Sequence, residues 1–332
     1  MRRLCIYFFY DTEGIVDDYV ADAVHAMKEH CEKLLVVCNG KLTSQGRTRF
    51  YESGADIVYR RQNKGFDVWA YKYALDKTGW EALRNYDEVI MMNFTIIGPI
   101  HPLSEMFMAM DRKGALDFWG LSVHHGENYD PWGIMPNGYI PEHLQSHFIC
   151  IRKSLLSSVH FRNYWANMRP INTYQEAIGY HEAIFTPTFE KLGYTWDSYV
   201  HSEDLKPLTS YPLMFRPLDI IRDRRCPFFK RKAFLLSATE YAAAGAVSAP
   251  KDTLDYLLSI QYDTRKIFQN LVRYSNQVDL RITSNQNYIV ETDSNWENFI
   301  PHITNTCAFV VYVDDLISMK ALTEHLVDGH DH

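Results

Sequence analysis

Residues 4–10, Leu-Cys-Ile-Tyr-Phe-Phe-Tyr, and residues 34–38, Leu-Leu-Val-Val-Cys, frame the stretch whose reading decides the fold. Each is an unbroken apolar run, too short for a core helix and of the length of a strand buried on both faces. Asp11-Thr12-Glu13-Gly14 breaks the first run, and Asn39-Gly40 stops the second. Between them Val16, Tyr19, Val20, Ala23, Val24 and Met27 recur at spacings of three and four, the apolar stripe of a helix. Strand, helix and strand in that order form the βαβ unit of a parallel sheet.

The same alternation continues outward. A helical stretch over 48–53 leads to a third strand near 56–59. A polar loop at 60–65 then opens a helix over 67–76, and Glu88–Met92 reads as a fourth strand ending in Asn93-Phe94-Thr95. Pro102–Met110 reads as a short helix and Phe118–Val123 as a strand. Residues 124–141 form a loop rich in Gly, Pro, Tyr and Trp. Ser146–Ile151 reads as a strand, Lys153–Asn167 and Tyr174–Leu192 as helices, and Thr195–Val200 as a closing strand. The expected class is α/β: a doubly wound, mostly parallel sheet with helices on both faces and a helical C-terminal extension. We expect a catalytic domain over 1–205 and an extension over 206–332. The extension holds a basic segment at 222–232, a helix over 254–276 and a terminal strand and helix at 309–327.

Composition excludes several classes. The 332 residues carry 34 Lys+Arg against 41 Asp+Glu, a net charge of −7, which argues against a nucleic-acid partner held by a basic surface. Hydrophobic residues make up 46% and charged residues 23%, as in an ordinary folded domain. No apolar run reaches the roughly 18 residues of a membrane span. The N-terminus runs straight into a strand without a cleavage signal, so a cytoplasmic location is expected. The six cysteines are dispersed, without zinc or redox spacing, and are expected to be reduced and buried. Neither a GxGxxG nor a GxxxxGK[ST] stretch is present, so no organic cofactor is expected. Aromatic residues reach 14%, and rings supply flat faces suited to sugars.

In a doubly wound sheet ligands bind at the carboxyl ends of the strands. Those ends hold Tyr10 and Asp11, Asn39, the loop Arg61-Gln62-Asn63-Lys64-Gly65-Phe66-Asp67, and Asn93-Phe94-Thr95. Glycine permits close backbone approach, Asn and Asp bind hydroxyls, and Arg or Lys meets phosphate. The loop also reads as a plain helix start with Asp67 in its first turn. Asn93 and Thr95 are neutral, so tight binding of Mg²⁺ or Mn²⁺ there is not favoured. The basic run Arg222-Asp-Arg-Arg-Cys-Pro-Phe-Phe-Lys-Arg-Lys232 is the natural supply of charge for a diphosphate, or else a solvated face. Glu182, in Tyr180-His181-Glu182-Ala183, is a candidate general base or an exposed helix residue. His124 and His125, with His143 and His147, suit hydrogen bonds to an acceptor sugar better than a metal.

The motifs Tyr10–Val20 (YDTEGIVDDYV), Val36–Leu42 (VVCNGKL), Arg61–Leu75 (RQNKGFDVWAYKYAL) and Met91–Ile100 (MMNFTIIGPI) resemble the rhamnan synthesis protein F family. The resemblance continues in family order through DFWGLSVHH, HLQSHFICIRKSLL, FRNYW, YHEAIFTPTFEKLGY and RCPFFKRKAF, so it runs from about Tyr7 to Phe234. It implies a GT-A-like bacterial glycosyltransferase of cell-surface polysaccharide synthesis (rhamnan, lipopolysaccharide O-chain or capsule). The implied donor is dTDP-L-rhamnose, and the acceptor a glycan or lipid-linked glycan. By the same resemblance Asn39 faces the nucleobase, while Asn63, Gly65, Asp67 and Lys72 belong to donor motifs, with Tyr71 in the same stretch. Asn93 and Thr95 hold the place of the metal motif, where Phe94 replaces the carboxylate found in relatives. Glu182 becomes the candidate base, Gln145 and Ser146 lie at the acceptor site with Trp119, His124 and His125, and Lys230 meets the diphosphate. Two rivals stand at this point: a transferase for another nucleotide sugar, and a catalytically weak partner of another transferase. The 222–232 segment, with Phe228 and Phe229, also suits peripheral contact with anionic lipid, against packing into the protein itself.

Overall fold

The computed structural model describes residues 1–246 and 249–284. Its strands are β1 (Arg3–Tyr10), β2 (Lys33–Asn39), β3 (Ile57–Arg61), β4 (Glu88–Asn93), β5 (Ile96–Ile97) and β6 (Phe118–Gly120). They are followed by β7 (Val123–His124), β8 (His143–Leu144), β9 (Phe148–Arg152), β10 (Trp196–Ser198) and β11 (Phe229–Lys230). Seven of them form one sheet in the order β10-β6-β9-β4-β1-β2-β3. β1 runs parallel to β2 and β4, β2 to β3, and β6 to β10, while β9 is antiparallel to both its neighbours. The sheet is thus mostly parallel, as the alternation of elements implies. Every residue of β1 except Tyr10 is buried, so both faces of the central strand are covered.

The helices α1 (Asp18–Lys28), α2 (Ser44–Glu52) and α3 (Phe66–Thr78) join the first four strands, α3 together with the short helix Trp80–Leu83. Three long helices of the sequence reading are interrupted. Lys153–Asn167 stops at Ser157 and restarts behind Ser158, whose hydroxyl accepts from Phe161 N–H at 3.1 Å. The stretch 254–276 becomes Ala249–Ser259 and Arg265–Leu271, parted by a turn with Gln261 at φ +59°. Within 174–192 a π-turn, Ile178–Glu182, separates two α-helical pieces.

At the amino ends of the strands, away from the ligand edge, Glu88 is wholly buried and gathers three donors. Arg3 Nε reaches it at 2.6 Å, Arg152 Nε at 3.0 Å and Trp119 Nε1 at 3.3 Å, which locks β1, β4, β6 and β9 together. At the opposite end Tyr10 is level with Asn39, and Asn39 with Arg61. β5 pairs antiparallel with β11, and β7 with β8.

The described part of the C-terminal extension shares this core, through Leu213, Ile220, Phe228, Phe229, Leu254, Ile267 and Leu271. Phe228 and Phe229 have no exposure, so of the two readings of this segment these rings take packing into the protein itself: apolar rings at that register fill the interior. Cys5, Cys31, Cys38, Cys150 and Cys226 are free and buried. Among the described residues no helix is long and apolar enough to cross a membrane. Cys307 and the strand and helix expected at 309–327 lie outside the described residues.

Candidate active site

α3 opens at Gly65, with φ +74°, followed by Phe66 with φ +53°. A side chain at 65 would run into the Trp69 ring, so the position needs glycine on two counts. Asn39 fastens this turn. Its Nδ2 donates to the Phe66 carbonyl at 3.1 Å and its Oδ1 accepts from Arg61 at 2.8 Å, while Arg61 also donates to the Lys64 carbonyl at 2.8 Å. Asp67, in the first turn of α3, then meets the end of β4, where Asn93 Nδ2 donates to Asp67 Oδ2 at 3.0 Å.

Asn93 Oδ1 accepts from the Thr95 N–H at 3.1 Å and from its hydroxyl at 2.6 Å. Lys230 Nζ donates to Thr95 Oγ1 at 3.0 Å. The β5–β11 pair sets this contact, placing Lys230 opposite Ile96. Gly98 lets the returning segment pass, because a Cβ there would strike the Pro227 carbonyl.

Glu182 enters from the other side on the π-turn, which shifts the helix register by one residue. Its Oε2 accepts from the Ser146 N–H at 3.0 Å and from the Ser146 hydroxyl. The same hydroxyl lies 3.5 Å from Asp67 Oδ2. Glu182 Oε1 accepts no hydrogen bond from the described residues and sits 3.9 Å from His143 Nε2.

The surroundings drive the two carboxyls apart. Burial, then the charge of Glu182, pushes Asp67 up to about 6. Burial also opposes ionisation of Glu182, but the charge of Lys230 and the Ser146 donors outweigh it and hold that carboxyl below its ordinary range. Burial lowers Lys230 to about 8 against the pull of Glu182 and Asp67. A carboxylate with one free oxygen thus stands close enough to an ammonium for their charges to act on each other, an arrangement able to take a proton at one point and meet negative charge at another.

A divalent cation does not fit this donor set. Asn93 and Thr95 are neutral, the Asn93 oxygen is already used twice, and the Lys230 ammonium stands on Thr95. Among the described residues no group of three His, Cys, Asp or Glu side chains is arranged to hold a metal ion.

The remaining expected site residues divide in two. Tyr10 lies half-buried at the end of β1 with its ring edge-on to Phe94 at 6.5 Å, and Asn63 is exposed on the loop. Gln145 accepts from Ser122 Oγ at 2.9 Å. His124 stacks on His143, centroids 5.0 Å apart at 16°. Five other placements correct the sequence reading. Trp119 is buried on Glu88, so its ring is not presented to a sugar. Lys72 donates to the Trp165 carbonyl at 2.8 Å and pairs with Asp76, binding helices together instead of a phosphate. Asn39 is wholly buried with its amide turned to the Phe66 carbonyl and to Arg61, so it is not presented to a base. His125 is buried on Ser202 at 2.9 Å.

Asp11 is the fifth. Its Oδ1 takes the Glu13 and Ile15 N–H groups at 2.9 Å each, and its Oδ2 accepts from Arg273 at 2.8 Å and from the Tyr274 hydroxyl. Arg273, Tyr274 and Asn270, which donates to Asp17 at 2.5 Å, carry no motif signal. Only the fold brings them to the end of β1.

Against known proteins, the rhamnan synthesis protein F profile matches residues 34–326. No curated protein matches. Among solved structures, glucosyl-3-phosphoglycerate synthase from Mycobacterium tuberculosis with phosphoglyceric acid is 15% identical, covers 68% of this chain and 80% of its own, and gives a TM-score of 0.35. The same enzyme with Mn²⁺, uridine diphosphate and glucosyl-3-phosphoglycerate gives 15% identity, 68% and 80% coverage and a TM-score of 0.36. Its complex with uridine diphosphate gives 16%, 65% and 79%, with a TM-score of 0.37. The profile match spans most of the sequence and takes in Asn39, Asp67, Asn93, Ser146, Glu182 and Lys230, and the chain belongs to the rhamnan synthesis protein F family.

Proposed function

We propose that this protein is a glycosyltransferase that moves a sugar from a nucleotide diphosphate donor to a hydroxyl acceptor by one inverting displacement. Family membership supports dTDP-L-rhamnose as the donor and a cell-surface glycan, free or lipid-linked, as the acceptor. Glu182 Oε1 takes the proton of the acceptor hydroxyl as the acceptor oxygen bonds to the anomeric carbon. The bond from that carbon to the diphosphate oxygen breaks, and the electron pair leaves on the diphosphate. Lys230, standing on Thr95 where relatives place metal-binding carboxylates, meets the developing charge. Asp67, Asn93 and Thr95 hold the donor side of the pocket, with Tyr10, Asn63 and Gly65 beside them, and Ser146 and Gln145 the acceptor side. The C-terminal extension completes the catalytic unit by supplying Lys230 through β11.

The observation that carries this reading is Glu182, with one oxygen tied to Ser146 and the other free, beside the charge of Lys230 seated on Thr95. The test is turnover of a nucleotide-sugar panel by purified protein, with Mn²⁺ and again with EDTA. We expect product from dTDP-L-rhamnose that survives EDTA, and a loss of about 10²–10⁴-fold in Glu182→Gln with an unchanged melting temperature. Full activity in Glu182→Gln removes the base assignment. Absence of turnover and of any thermal shift across the panel favours the rival for which the neutral Asn93–Thr95 pair speaks, a non-catalytic partner of another transferase.

A further inference from the structure

His143 belongs to β8 and its side chain is 1% exposed. Its Nδ1 lies 2.7 Å from the Pro141 carbonyl oxygen. A carbonyl only accepts, so Nδ1 carries the hydrogen, and the neutral ring presents Nε2 as a lone pair. That atom is buried without a hydrogen-bond partner among the described residues and faces Glu182 Oε1 across 3.9 Å. Two acceptors therefore look into one gap. An imidazolium at this place would draw the carboxylate to the 2.7–2.9 Å or so of a charge-assisted bond, which the separation does not show. The stacked ring of His124 fixes the plane of His143, and the Gly126 N–H donated to His124 Nδ1 at 3.1 Å holds His124 in turn.

A sugar hydroxyl carries one hydrogen and satisfies one acceptor. Hydroxyls on adjacent ring carbons are spaced to serve both. Resting on the transferase reading above, we propose that the acceptor is a pyranose with two free vicinal hydroxyls: one donates to Glu182 Oε1 and is the nucleophile, and its neighbour donates to His143 Nε2. His143 is then the residue that selects which hydroxyl is attacked. It orients the acceptor and takes no part in bond making.

Two measurements test this. In protein labelled with ¹⁵N at the histidine rings, His143, assigned by its loss in His143→Leu, is expected to show a protonated Nδ1 and a bare Nε2 at pH 7.5. Methyl α-L-rhamnopyranoside is expected to shift that Nε2. An imidazolium, an Nε2–H tautomer or an unmoved Nε2 overturns the proposal, whether or not the protein turns over. The second measurement is transfer to methyl α-L-rhamnopyranoside and its three monodeoxy analogues. The analogue lacking the neighbouring hydroxyl is expected to raise KM about tenfold in wild type and to cost nothing further in His143→Leu or His143→Asn. Equal use of the parent and of two deoxy analogues overturns the diol while leaving the transferase standing. Absence of turnover with every donor strikes the transferase reading, and the ring titration then decides the diol by itself.

Discussion

Glu182 and Asp67 present oxygens to the same Ser146 hydroxyl, and their roles separate on geometry before acidity. Asp67 Oδ2 is taken by Asn93 and lies near Ser146, whereas Glu182 keeps one oxygen free. Paired carboxyls whose surroundings split their acidities commonly divide acid and base work. Here Asp67, lifted to about 6, is the group that changes charge near neutrality, and Glu182 stays ionised. Lys230 gives the sharper prediction. Burial lowers it to about 8 from 10.5, so in the free enzyme the ammonium is complete below that point and lost as pH rises through it. If the ammonium meets the diphosphate, kcat/KM for the donor falls as pH rises through about 8. kcat falls later, because the bound diphosphate stabilises the charged form. Lys230→Arg stays charged over the whole range and removes this limb. A pH series of kcat/KM from 6 to 9.5 checks it, and an identical alkaline limb in Lys230→Arg would rule Lys230 out as its source.

The loop between β3 and α3 shows how local structure sets the site. Gly65 and Phe66 both have positive φ, a combination that costs strain and is held by Asn39 and by Arg61 behind it. Gly65→Ala is expected to lower stability by about 1–3 kcal/mol and to shift Asp67 away from Asn93, since the new methyl meets Trp69. Chemical denaturation together with donor titration measures both effects. A variant as stable as wild type would show that this turn is not strained. This element was half legible in the sequence. Gly65 and Asp67 stood out as a glycine loop entering a helix, and apolar runs bounded by polar stops revealed β1, β2 and β4. The period of 3.6 is the same on either side of a π-turn or a serine break, and the pieces Lys153–Leu156, Tyr174–Ala177 and Ala183–Lys191 are too short for the change of phase between them to be read from it. Asn39 is legible as the end of a strand, but its exposure is not: a polar residue there serves a ligand or a backbone turn, and only packing tells which.

Across the whole molecule the least legible contact is the one between the two ends of the described chain. Arg273 donates to Asp11 at 2.8 Å and to Asp17 at 2.5 Å over separations of 262 and 256 residues, distances at which spacing carries no information. Arg231 adds its guanidinium face to Phe94 and Tyr274, each 5.1 Å from the ring centre, so the C-terminal helices are tied to the carboxyl ends of β1 and β4. Removing Arg273 leaves Asp11, which is 2% exposed, without its cation. A buried carboxylate stripped of its partner is strongly destabilising, and solvent at the partly exposed guanidinium moderates the effect, so Arg273→Ala is expected to cost about 2 kcal/mol near neutrality. The sign with pH follows from Asp11. Burial by itself would raise its pKa, but Arg273, Tyr274 and the Ile15 N–H outweigh burial and hold the folded-state pKa below 3.8. A carboxyl so lowered contributes stability above its unfolded value and loses it as pH falls through the folded one. The difference between wild type and Arg273→Ala is therefore largest at pH 6–8 and narrows as the medium is acidified below about 4. Urea denaturation of both proteins at pH 7.5 and at about pH 3, below the unfolded carboxyl value, reads this directly. A cost that is the same at both values would mean that Arg273 acts through packing alone, and that the charge pair is not what joins the C-terminal helices to the ligand edge of the sheet.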